Sequence, residues 1–143
     1  MQNKFVVLIT LASLLAGCSD NGVQYARIAD ETLNTTGSVF IGRESQWIGR
    51  AVSVEVRFNG RPIAVLSQGQ SVSSMTQSGE NIITIIPNGP ARLMYDAQEI
   101  RIKGSSDSNS FVLIRIDEAI PGFGGEIRVI ETEPKTFASA VRT

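Results

Sequence analysis

The sequence predicts an all-β fold, a small antiparallel β-sandwich of about seven or eight strands. Three observations predict it. Ala51–Phe58 (AVSVEVRF) alternates strictly, with Val52, Val54, Val56 and Phe58 on one face and Ser53, Glu55 and Arg57 on the other. Asn59-Gly60 follows at once, and both residues tolerate the positive φ of a tight type I′ hairpin turn. Short β-branched runs, separated by Gly, Pro, Asn and Ser clusters, then recur through residues 37–143 with no long helical pattern.

The chain opens differently. Met1–Lys4 is polar and positively charged, and Phe5–Ala16 is an uncharged apolar run. Twelve helical residues span about 18 Å, well short of the roughly 30 Å hydrocarbon core of a bilayer. A basic head, a short apolar core and small exit residues are the anatomy of an export signal. Cys18, the only cysteine, stands directly after that run. Leu15-Ala16-Gly17-Cys18 resembles the lipobox of bacterial lipoproteins. The resemblance implies diacylglyceryl transfer to the Cys18 thiol, cleavage before it with Leu15, Ala16 and Gly17 as the peptidase recognition residues, and acylation of the new amino terminus. One acyl chain holds a protein to a membrane only marginally, whereas two anchor it stably. Ser19 follows the cysteine and Asp20 comes one place too late for the inner-membrane retention signal of enteric lipoproteins. The resemblance therefore implies a palmitoylated protein at the outer membrane, facing the periplasm, with the inner membrane as the alternative.

Three segments result: a signal peptide at 1–17, a lipidated N-terminus and tether at 18–36, and a sandwich at 37–143. The tether is polar with isolated apolar residues; its alternative is a short docked helix around Ala26–Leu33. Within the sandwich, Ser38–Gly42 is a first short strand and Ala51–Phe58 a second. Arg61–Leu66 returns from the Asn-Gly turn, with Pro62 near its start or on an edge because proline lacks an N–H. Gly69–Met75 is a weaker strand, and Gln77–Glu80 is expected as a turn. Asn81–Ile86 (NIITII) is strongly β-forming and stops at Pro87-Asn88-Gly89-Pro90. Gln98–Lys103 alternates, with Ile100 and Ile102 inward. Ser110–Ile116 (SFVLIRI) is apolar on both faces, so a central place is expected. Glu126–Glu131 closes the series. Glu133-Pro134 opens a short C-terminal helix, Lys135–Val141, which at seven residues persists only if docked.

The succession SVFIG, AVSVEVRFNG, RPIAVL, a glycine-containing strand, a Ser-Gly-Glu turn, NIITII and FVLIRI is similar to that of small bacterial lipoproteins of unknown function. Their domain is an immunoglobulin-like or transthyretin-like sandwich, related to carboxypeptidase-regulatory-like and PEGA-like domains. The shared frame covers Val54–Ile86 and, more loosely, Ser110–Val141. Ser71 stands where that frame has an aromatic residue, and Ser78 where it commonly has proline.

The chemistry available is narrow. The chain has no histidine, which removes the commonest general base, the Ser-His and Cys-His pairs and most zinc and copper sites. Asp117 and Glu118 are adjacent on a strand and point to opposite faces. Glu131 and Glu133 can share a face, as solvated strand-end charges do. Asp107-Ser108-Asn109 lacks the spaced carboxylates of a calcium loop, and Gly122–Gly125 lacks the Lys-Ser/Thr and helix of a phosphate loop. No catalytic residue, metal or cofactor is expected. Lysines and arginines number 13 against 14 acids, a balance that does not point to nucleic acid.

Two loops have the composition of a recognition surface. Arg43–Arg50 (RESQWIGR) carries the only tryptophan between arginines, and Trp and Arg are enriched at interface hot spots. Arg43, Trp47 and Arg50 are candidates, against an alternative in which Trp47 caps the core. Phe123, among flexible neighbours, is the other candidate, against a ring tucked onto the sandwich. The expectation is a membrane-anchored, non-enzymatic lipoprotein that binds another envelope protein or serves an assembly. Alternatives are a lipoprotein subunit of a secretion or conjugation machine, or an enzyme inhibitor.

Overall fold

The computed structural model describes residues 37–118 and 124–142. Cys18, Leu15, Ala16, Gly17 and Phe123 lie outside the described residues, as does the tether. Eight strands form two four-stranded sheets: β1 (Ser38–Arg43), β2 (Val54–Phe58), β3 (Arg61–Leu66), β4 (Ser71–Met75), β5 (Gly79–Pro87), β6 (Gln98–Gly104), β7 (Ser110–Glu118) and β8 (Gly125–Thr132). One sheet has the order β4-β1-β7-β8 and the other β3-β2-β5-β6. The domain is a small all-β sandwich with one short C-terminal helix, α1 (Pro134–Ala140).

Alternation sets the core. Val54, Val56 and Phe58 of β2 and Ile83 and Ile85 of β5 form one cluster with Val39 and Ile41 of β1 and Val112, Ile114 and Ile116 of β7. Burying each such side chain stabilises by about 1.5–3 kcal/mol relative to exposure. β7 is apolar on both faces because its outer face is covered too. Phe111 and Leu113 join Phe40 and Phe137 in a second cluster, with Ala140 and Val141 packed against it. The Phe40 and Phe111 rings stack at 5.2 Å between centroids, and Phe137 lies 5.4 Å from Phe111. Gly42 makes the docking of α1 feasible, since a Cβ there would overlap Phe137 and Val141.

Asn59 and Gly60 both have positive φ, 49° and 80°, as a type I′ turn requires. Pro62 is the second residue of an edge strand, where the β2–β3 register shifts between Val56 and Arg57. Three features differ from expectation. One pairing is parallel, β1 with β7, from Val39↔Ser110 to Arg43↔Ile114; such a pair needs a long connection, and here it runs through the whole second sheet. Gly79 and Glu80 belong to β5 rather than to a turn, because β6 pairs with β5 down to Gly79↔Gly104. A 3-10 turn at Gly89–Leu93, with Pro90 in its first turn, follows β5 and buries Ala91.

The topology gives the sandwich two unlike ends. Because β1 and β7 run parallel, the connections 44–53, 67–70 and 88–97, the end of β7 at Glu118 and the start of β8 at Gly125 gather at one end. Turns 59–60, 76–78 and 105–109, and residue 37 where the described domain begins, lie at the other.

Candidate partner-binding loop

The segment between β1 and β2 has a fixed base and an exposed tip. The base begins at Arg43, the last residue of β1. Its N–H donates to Gln70 O at 2.8 Å, and its carbonyl accepts from Gly69 N at 2.9 Å. Glu44 N–H donates to Ile114 O at 2.9 Å and Ser45 N–H to Ala140 O at 2.8 Å, so strand β7 and helix α1 both hold it. The Arg115 guanidinium grips the Glu44 carboxylate with two bonds, Nε to Oε2 at 2.6 Å and Nη2 to Oε1 at 3.1 Å. Such a planar fork fixes geometry as well as adding attraction. Glu44, by that hydrogen bond first and its charge second, raises the Arg115 pKa above its ordinary value.

Arg43 corrects the sequence reading. Its side chain is not offered to a partner; the residue is 1% exposed. The guanidinium turns inward and donates from Nη2 to Gly49 O at 2.7 Å, closing the loop from inside. Gly49 has φ +68°, and a Cβ there would press into Ile116, so glycine is the residue that permits this closure. Among the described residues, Nε and Nη1 of Arg43 have no hydrogen-bond partner. Burial lowers the Arg43 pKa, against smaller opposing effects of Tyr95 and Glu44. Tyr95, itself buried, donates its hydroxyl to Glu118 Oε1 at 3.5 Å. Its pKa is raised, by burial first and then by the Glu118 charge.

Trp47 is 83% exposed, so it does not cap the core. Arg50, also exposed, places its guanidinium carbon 5.7 Å from the indole centroid, a cation–π arrangement. Ile48 beside them is half exposed. The structure thus brings Trp47 and Arg50 together at the tip and separates Arg43 from them. Ile48 was missed in the sequence, although an apolar residue between Trp47 and a loop glycine was the available signal. Leu93 and Met94, both exposed, sit in the 88–97 connection at the same end of the sandwich.

The other weighed groups do not converge. Glu131 and Glu133 are exposed and rim an open cleft with Asn109, Phe111 and Pro134. Asn109 accepts the Ser38 N–H through its Oδ1 at 3.1 Å, tying its loop to β1. Among the described residues no cluster of three or more His, Cys, Asp or Glu could hold a metal ion, and no helix is long and apolar enough to cross a membrane. Comparison of the chain with protein-family models, with curated proteins and with solved structures finds no match.

Proposed function

We propose that this chain is a lipid-anchored envelope lipoprotein, non-enzymatic, whose sandwich binds another envelope protein through the tip of the β1–β2 loop. The observation that carries the reading is the exposed Trp47, paired with Arg50 on a base fixed by Arg43, Glu44 and Arg115. A rigid aromatic–arginine pair on a pinned loop loses little freedom on binding, which is the economy of an interface hot spot. The lipobox resemblance at Leu15–Cys18 supports the anchor. Geometry adds a direction. Residues 18–36 reach at most about 65 Å when extended, and they join the domain at residue 37, at the end opposite Trp47. In this reading that placement leaves the tip clear of the point of attachment and open to a partner in the periplasm. The eight-strand, two-sheet order with a parallel β1–β7 pair supports the transthyretin-like variant of the resemblance.

The test has two arms. Cys18→Ala should leave unprocessed precursor and abolish incorporation of fatty-acid label; label entering the variant would refute the anchor. A photo-crosslinking residue at position 47 should give one discrete adduct with another envelope protein in intact cells, and the same residue at position 59 should not. Equal adducts at both ends would remove the loop tip from the binding surface.

A further inference from the structure

We infer that strand β4 is a self-pairing edge, through which two copies of this chain join β4 to β4 in an antiparallel two-fold contact. The inference starts from the edge strands among the described residues, β3 and β6 in one sheet and β4 and β8 in the other. An edge presents unpaired backbone groups, and proteins protect it with charge, proline or a bulge. β3 has Arg61, Pro62 and a register shift opposite it. β6 carries exposed Glu99, Arg101 and Lys103, and β8 carries exposed Glu126, Arg128 and Glu131. β4 reads SVSSM, with no charge, no proline and an unbroken register against β1 from Ser38↔Met75 to Gly42↔Ser71.

The direction of its backbone groups follows from two bonds. Arg43 N–H donates to Gln70 O, and Thr76 N–H donates to Gly37 O. Hydrogen-bonded pairs recur at every second position of an antiparallel ladder. Val72 and Ser74 therefore turn their N–H and C=O toward β1, and Ser71, Ser73 and Met75 turn theirs outward. A second copy placed antiparallel with Ser73 facing Ser73 sets Ser71 against Met75 and Val72 against Ser74. The outward-facing residues then meet only outward-facing residues, and about six N–H···O=C bonds form. The same two-fold keeps core faces with core faces. It also lays Met75, 78% exposed in the single domain, across the seam beside Ser71 and Ser73 of the second copy.

Charge selects a second copy over another occupant. Residues 67–79 (SQGQSVSSMTQSG) contain no Asp, Glu, Lys or Arg, although 19% of the chain is charged. On the two-fold axis a charged residue at position 73 would face its own copy, which is repulsive, and position 73 is an uncharged serine. An uncharged edge is the composition that self-pairing needs, whereas capture of a charged partner would favour a complementary one.

The test uses the full-length chain in its own membrane. Ser73→Cys should yield a covalent dimer under mild oxidation, since directly opposed Cα atoms at about 5.5 Å lie within disulfide range. Glu99→Cys on the β6 edge should not. Ser73→Lys and Ser73→Glu should each weaken self-association of the detergent-solubilised chain about tenfold or more, as read by sedimentation. Mixing the two variants should restore it, a result that misfolding cannot produce. Equal dimer from Ser73→Cys and Glu99→Cys, or no restoration on mixing, would overturn the inference. An adduct of Ser73→Cys with a different protein, in place of the dimer, would overturn it as well.

Discussion

The two ends of the sandwich handle buried polar groups in opposite ways. At the end that holds residue 37, Asn81 is fully buried and fully used. Its Oδ1 accepts from Gln77 N at 2.9 Å and from Asn59 Nδ2 at 3.1 Å, and its Nδ2 donates to Gln77 O at 2.8 Å and Gly79 O at 3.2 Å. Asn59 adds an acceptor for Ile82 N at 2.8 Å. One amide thus locks two turns. At the other end Arg43 is buried, with one bond made and two donor nitrogens that find no partner among the described residues. A satisfied buried network rigidifies, and an unsatisfied one holds energy in reserve. The first end is built for stability. The second accepts a less favourable interior in order to hold Gly49, and with it the Trp47 tip, in place.

The largest expected effect tests the rigid end. Asn81→Ala removes one side chain and leaves Gln77 N–H, two carbonyls and the Asn59 amide without their partner. The loss should be about 3–5 kcal/mol, read as a fall in the urea midpoint at unchanged slope. A loss below about 1 kcal/mol would mean that water replaces the amide at no cost and that the two ends are not different in kind.

Arg43→Ala comes next, at about 2–4 kcal/mol, from the cavity and from the orphaned Gly49 carbonyl. Part of this is offset, because the variant no longer buries an unpaired guanidinium. The comparison sharpens if Arg43→Met costs less than Arg43→Ala: methionine fills the volume without the charge. A larger loss for Arg43→Met than for Arg43→Ala would show that the charge itself stabilises this end.

Between the ends lies the part most legible in the sequence. Val52 to Phe58 announced the inward face by period two, and Asn59-Gly60 announced its turn, because both signals are local. Ser110–Ile116 announced a central strand because both its faces are apolar, although only the structure shows that α1 covers one of them. The parallel β1–β7 pair was not legible, since register between distant segments leaves no local mark. Arg43 was misplaced for the same reason. In the sequence Arg43 reads as the first residue of an exposed recognition loop, and only the tertiary contact with Gly49, six residues on, turns it inward. Val56→Ala should cost about 1–3 kcal/mol. Arg57→Ala on the opposite face, paired with Glu55 at 2.6 Å but with its side chain 43% exposed, should stay within about 0.5 kcal/mol. Equal losses would reverse the facing of β2.

The smallest expected effect is at the tip. A tryptophan buried as a core cap would lose about 3–5 kcal/mol on truncation to alanine. Trp47 touches water over most of its surface, and the described contact that truncation would remove is the one with Arg50 at 5.7 Å. A cation–π pair at an exposed site stabilises by about 0.5–1 kcal/mol, so Trp47→Ala should move the thermal midpoint by only a few degrees. Arg50→Ala should move it by a similar amount, and the double variant by no more than either, because the two truncations remove one shared interaction. Against that small change in stability, each single variant should weaken capture of the envelope partner tenfold or more if the tip carries a hot spot. The ratio of the two effects is the measurement that separates the ends: at Asn81 stability falls and capture follows it down, whereas at Trp47 capture falls while the fold stands. A Trp47→Ala protein that melts far below the parent and still captures the partner would place the indole in the fold and the binding surface elsewhere.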